Sequence, residues 1–177
     1  MSLRQNRRRP PESRRRRFND MKKKIFVVIL AIAICEAIGS IGSIFTIPAI
    51  GSWYAGLVKA PLNPPNWIFG PVWTLLFALM GVAAFMVWRR GYEKPPVRAA
   101  LGVFVLQLAL NVLWSVLFFG AHAPGAAFVD IIVMWLAILW TIIVFRKIDR
   151  ASAWLLLPYI LWVSFAVYLN FSVMVLN

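Results

Sequence analysis

Apolar side chains occupy this chain in five long blocks, at about residues 25–47, 69–88, 97–119, 126–145 and 153–176. About 20 residues at ~1.5 Å rise cross the ~30 Å hydrocarbon layer of a bilayer, so each block predicts a transmembrane helix. Breakers separate the blocks. Pro48 and Gly51 follow the first, Gly91 with Pro95 and Pro96 the second, and Gly120 with Pro124 the third; a charged run from Arg146 to Arg150 ends the fourth. Pro71 falls in the first turn of the second helix, where a missing N–H is tolerated. Pro158 falls inside the fifth helix and predicts a kink there. The fold class is therefore an all-α membrane protein, a five-helix transmembrane bundle over residues 25–177. No repeat relates its halves, which argues against an inverted-repeat transporter.

Charge fixes the expected orientation. Eleven Lys and Arg precede the first block, against Glu12 and Asp20. Arg89, Arg90, Lys94 and Arg98 flank the second connection, and Arg146, Lys147 and Arg150 the fourth. The alternate side has Lys59 alone in the 48–68 connection and no basic residue after Arg150. Basic loops stay cytoplasmic. The N-terminus is expected in the cytoplasm and the C-terminus outside, in a cell (cytoplasmic) membrane. Residues 1–24 read as a basic, disordered tail that orients the protein and binds anionic lipid, at about 1 kcal/mol per basic residue near the surface. Nucleic acid is not expected as a partner. The first block is too long for a cleaved signal segment and reads as a retained anchor.

Composition agrees: 62% of residues are hydrophobic and 14% charged, at a net +13. A soluble domain carries roughly 25% charged residues. With Cys35 and His122 the sole residues of their types, neither a disulfide within the chain nor a Cys/His metal site is expected. No phosphate-binding glycine loop or nucleophile elbow is present.

The polar groups at membrane depth are the first candidates for chemistry. Gln107, Asn111 and Ser115 recur every four residues and form one stripe of the third helix, flanked by Trp114 and Phe118. They suit either interhelical hydrogen bonding or contact with a ligand. Glu36, beside the small residues Gly39, Gly42 and Ser43, suits either a protonated structural acid or a proton-linked site; Asp130 is a second intramembrane acid without an assigned role. Aromatic residues are the next group. Trp67, Trp88, Trp140 and Trp154 lie near the predicted boundaries, where indoles prefer to sit. Trp73, Trp114, Trp135 and Trp162 lie deeper. Phe69, Trp73, Phe77 and Met80 share a face of the second helix, and Tyr159, Trp162, Ala166 and Asn170 a face of the fifth. Two such faces suit either core packing or an apolar ligand slot. The outward connection, with Trp53, Tyr54, Lys59, Pro61, Pro64 and Pro65, is stiff and placed to act as a lid.

These residues also carry a resemblance. The run from Trp53-Tyr54 through Lys59-Ala60-Pro61, Asn63-Pro64-Pro65-Asn66-Trp67 and Phe69-Gly70-Pro71-Val72-Trp73 resembles the tryptophan-rich sensory protein/translocator protein family. So do Gln107…Asn111…Trp114…Phe118-Phe119-Gly120, Ala127-Phe128-Val129-Asp130 and Pro158-Tyr159…Trp162…Ala166…Asn170. The resemblance covers the chain from about Ile25 and implies a dimeric five-helix bundle with a pocket under the first connection. It implies binding of porphyrins such as protoporphyrin IX, and of benzodiazepine-site ligands, with no built-in cofactor. Trp73 and Trp162 match the family's pocket and chemistry positions, with Tyr54, Asn111 and Ala166 lining the site. The sterol motif of animal members needs a basic residue after the tyrosine of the fifth helix, so the resemblance does not carry cholesterol over. The pocket expected is Trp53, Tyr54, Phe69, Trp73, Phe77, Gln107, Asn111, Trp114, Trp162, Ala166 and Asn170. The leading expectation is a receptor or carrier for tetrapyrroles. The rivals are light- or oxygen-dependent porphyrin breakdown through Trp73 and Trp162, and a scaffold acting through a protein partner.

Overall fold

The computed structural model describes residues 12–177, with side chains from residue 20. Helix α1 spans Glu12–Ile50, α2 Asn66–Trp88, α3 Pro95–Ser115, α4 Pro124–Ile148, α5 Arg150–Leu155 and α6 Leu157–Leu176. A 3-10 turn, Tyr54–Gly56, lies between α1 and α2, and a π turn, Val116–Gly120, extends α3. Counting α5 and α6 as one crossing, five helices are long and apolar enough to span a membrane. No strand occurs among the described residues.

The boundaries differ from expectation chiefly in three places. The first helix begins at Glu12 rather than near residue 25, so the later part of the basic segment is helical; the part before Glu12 lies outside the described residues. Arg, Lys and Met are good helix formers, and no proline or glycine interrupts the run between Glu12 and Gly39. The helix also runs through Pro48 to Ile50, which shortens the connection expected over 48–68. At Pro158 the predicted kink is a full break. Leu156 forms a turn between two helices, and Pro158 occupies the first turn of α6, where its missing N–H is tolerated.

Helix α1 packs on α2 and α3, while α4 lies between α3 and the α5–α6 pair. Close approach of α1 to α2 depends on Gly81. A Cβ there would sit 2.6 Å from Cα of Ile32 and 2.9 Å from the Ala31 carbonyl oxygen. The core is densest towards the end that carries the basic loops, around Met80, Val87, Ile138, Phe145 and Leu156, none more than 1% exposed. Leu75, Val105, Val129, Leu136 and Leu161 cover the outer surface, as lipid contact demands.

The two basic connections are tied together by Asp149. Its Oδ1 accepts from the N–H groups of Ala151 at 3.0 Å and Ser152 at 3.2 Å, capping α5. Its Oδ2 accepts from Arg90 Nε at 2.9 Å and Nη2 at 2.6 Å. Gly91, with φ at +117°, makes the reverse turn that presents Arg90. Burial works against the charge on Asp149, but the Arg90 bonds and the two backbone donors prevail and hold its carboxyl below the usual range. Asp149→Ala removes a cap and a charge-assisted pair, and is expected to cost about 2 kcal/mol of stability. Asp149→Asn, which still caps, should cost less. Because the folded-state pKa is depressed, this contribution is complete above the ordinary value near ~3.9 and fades as pH falls through the lowered one. Thermal melts in detergent across acidic pH check it: equal melting temperatures for wild type and Asp149→Ala at neutral pH would contradict the assignment.

Candidate functional site

Near the end of the bundle away from the basic loops, the helices part around a cavity of about 420 Å³. That is the size of a small-molecule site, about 300–1,000 Å³. Each wall follows from the local sequence. Helix α1 contributes Gly39, Gly42, Ser43 and Thr46, small residues that bring its backbone to the cavity edge. A Cβ at Gly39 would collide with the Phe77 ring, and one at Gly42 would lie 2.8 Å from Ser115 Oγ. These glycines and Ser43 therefore face inward, towards the cavity. Helix α2 contributes Phe69, Trp73 and Phe77, and α6 Trp162, Ala166 and Asn170. Helix α3 contributes Asn111 and Trp114. The π turn beyond it adds Phe118 and Phe119, its i→i+5 bond running from Ala121 N–H to the Val116 carbonyl at 2.7 Å.

Tyr54 closes the outer end. Its hydroxyl donates to Asn63 Oδ1 at 2.9 Å, and Lys59 Nζ sits 4.7 Å above its ring. Burial pushes the Tyr54 hydroxyl pKa up, against the lowering effect of the Asn63 bond. Lys59 also donates to the Leu57 carbonyl at 3.1 Å. The connection is pinned to the chain end by Asn177, which accepts from Val58 N–H at 2.9 Å and donates to its carbonyl at 3.1 Å. Pro61, Pro64 and Pro65 shape this connection without lining the cavity.

Two residues expected in the pocket stand elsewhere. Trp53 stacks on His122 at 4.4 Å and meets Phe118 edge-on at 5.6 Å, behind the Tyr54 wall. Gln107 is buried deeper, accepting from Tyr159 Oη at 2.8 Å and reaching Met80 Sδ at 3.8 Å. Residues four apart on a helix share a face, but here one end of the stripe meets core and the other meets space. Asn111 is the member between, donating to Tyr159 Oη at 3.3 Å from the cavity wall. Glu36 lines the far end of the cavity, whereas Asp130 is buried in α4 away from it.

Hydrogen bonding separates the deep tryptophans into two kinds. Trp114 Nε1 donates to Asn170 Oδ1 at 2.9 Å, and Asn170 Nδ2 in turn donates to the Pro124 carbonyl at 2.8 Å. Trp135 Nε1 donates to Ser164 Oγ at 2.8 Å. Trp73 and Trp162 both line the cavity, and among the described residues neither indole N–H has an acceptor. Their spacing could not reveal this, because indole partners come from other helices. The α1 wall was legible only as small residues suited to close packing, and the π turn left no signal beyond consecutive aromatics.

The sequence model described as the TspO/MBR family matches residues 31–176. Among curated relatives, a tryptophan-rich protein TspO of Chlorobaculum tepidum is 45% identical over 158 residues, covering 89% of this chain and 99% of that one. A protein of the same name from Archaeoglobus fulgidus is 44% identical, over 87% of this chain and 97% of its own. The translocator protein of Ovis aries is 40% identical, over 67% and 71%.

Removing the Asn170 amide leaves the Trp114 donor and the Pro124 carbonyl unpaired in an apolar site. Asn170→Ala is therefore expected to cost about 1–3 kcal/mol, seen as a lower Tm in detergent with altered Trp fluorescence. A variant as stable as wild type would show that this link does not hold the cavity wall.

Proposed function

Since this chain belongs to the TspO/MBR family, we propose that it is a multi-pass membrane receptor or carrier that binds tetrapyrroles and similar flat, greasy molecules in the cavity between α1, α2, α3 and α6. The observation that carries this reading is the pair Trp73 and Trp162, whose indole N–H groups lack protein acceptors at the wall of a 420 Å³ cavity. The other two deep indoles, Trp114 and Trp135, are committed to side chains of α6. Uncommitted ones, beside an amide at Asn111, offer stacking surface with a few directed polar contacts, the usual composition of a ligand site. Ala166, the small residue between Trp162 and Asn170, keeps the α6 wall flat.

The basic connections favour a cytoplasmic location for the α2–α3 and α4–α5 ends, with Tyr54 and the cavity roof on the outer side of the cell membrane. A ligand held there is shielded from water by the 3-10 turn and by Lys59 over Tyr54. The translocator name borne by animal relatives suits a protein that hands such ligands on.

Titrating protoporphyrin IX against the protein while following Trp fluorescence tests the reading. Ala166→Phe fills the slot and should weaken binding more than tenfold. Trp73→Phe and Trp162→Phe each remove about 1 kcal/mol of stacking and hydrogen bonding, about a fivefold loss. Trp135→Phe, away from the cavity, should leave affinity unchanged. Wild-type affinity in a folded Ala166→Phe protein would sink the proposal.

A further inference from the structure

Glu36 is a charged residue type inside an apolar cavity, and the binding just proposed gives it no task. From Ile50 it lies 14 residues down α1, about 21 Å below the roof at ~1.5 Å per residue. Its side chain lines the cavity and, among the described residues, its carboxyl has no hydrogen-bond or ion-pair partner. The Ser40 hydroxyl, one turn on, is engaged with the Glu36 backbone carbonyl at 2.8 Å and offers its proton elsewhere. The surroundings hold no compensating charge. Across the cavity, α2 presents Thr74 and Phe77, α3 presents Asn111 and Ser115, and α6 presents Trp162 and Ala166. On its own helix Cys35 turns into the core. The other intramembrane acid, Asp130, is buried in α4 and does not line the cavity, and Lys59 is held at the roof.

We infer that Glu36 couples the cavity to protons: a ligand that brings a carboxylate into it is bound with uptake of one proton from solution onto the Glu36 carboxyl. This rests on the binding reading above and names its ligand class more closely, as flat hydrophobic acids. The proton removes one of two like charges that would otherwise share an apolar space. Two unit charges ~8 Å apart at an effective dielectric of ~20 repel strongly enough to weaken binding about thirtyfold. Linkage makes the coupling reciprocal, so the bound acid holds the proton on Glu36 as firmly as the proton holds the acid.

The test compares protoporphyrin IX, a diacid, with its uncharged dimethyl ester, on the full chain in lipid nanodiscs. The window is about pH 6 to 9, where ordinary carboxyl groups are already ionised. Wild type should bind the diacid more weakly as pH rises, by up to tenfold per unit and about thirtyfold in all, while the ester shows no slope. Glu36→Gln keeps the shape and should make the diacid profile flat, and dye-reported proton uptake on binding should vanish with it. A diacid slope that persists in Glu36→Gln, or none in wild type, overturns the coupling while leaving binding intact. Absence of binding for both porphyrins at every pH would instead defeat the binding reading, and the coupling with it.

Discussion

The constraint on which everything else depends is that hydrocarbon offers no hydrogen bonds, so each polar group inside the spans needs a partner from the protein. The structure meets this demand locally wherever it can. Ser40, Thr46, Thr141, Ser164 and Ser172 turn their hydroxyls back onto carbonyls four residues earlier. Longer side chains reach across helices, linking α3 to α6 through Trp114 and Asn170 and through Tyr159 with Gln107 and Asn111. Such bonds average only about 0.6 kcal/mol each. Their role is less to add stability than to fix which faces meet, since an incorrect rotation of α6 would strand several groups at once. Groups left without partners under this rule are then informative, and at the cavity they include Glu36, Trp73 and Trp162.

Small residues perform opposite tasks at the two ends of α1. Gly81 lets the α1 backbone touch α2 near Ile32, closing the bundle towards the basic loops. Further along, Gly39 and Gly42 give α1 the same close approach to Phe77 and Ser115, yet with no side chains above them the remaining space is the cavity. Bulky aromatics on α2, α3 and α6 then hold the walls apart. The break at Leu156 and the π turn after Ser115 belong to the same device. One sets the course of α6, and the other turns consecutive phenylalanines towards Tyr54, with Phe119 at 5.7 Å from its ring.

Much of this was legible from sequence because hydropathy and breaker positions act locally. The five crossings, the disturbance at Pro158 and the inward faces of α2 and α6 follow from spacing alone. What spacing conceals is where along a face the neighbour withdraws. Gln107 and Asn111 occupy equivalent positions one turn apart, yet the first meets Met80 and the second meets the cavity edge. Trp53 looked like a lid residue because its sequence neighbours are, but the turn after Ser52 sends it onto His122 instead. His122 has φ at +51°, a left-handed conformation just beyond the π turn that periodicity does not foresee. The helical start at Glu12 was hidden for another reason: charge density argued for a solvated tail, while helix propensity and the template of the span behind it pull the other way.

The two intramembrane acids show how the constraint distinguishes structure from function. Inserting an ionised carboxylate at mid-bilayer costs about 2.5–3.5 kcal/mol, several times the worth of an interhelical hydrogen bond. In its ionised form each of Glu36 and Asp130 carries a cost that an amide would avoid. Asp130 is buried in α4, its Oδ2 lacks any hydrogen-bond partner among the described residues, and it does not line the cavity. Glu36 bears the same cost on a surface that a guest molecule can touch. Of the two, it is the one whose charge state can change with occupancy while the bundle stays packed, and the proposed proton coupling rests on this accessibility more than on its acidity.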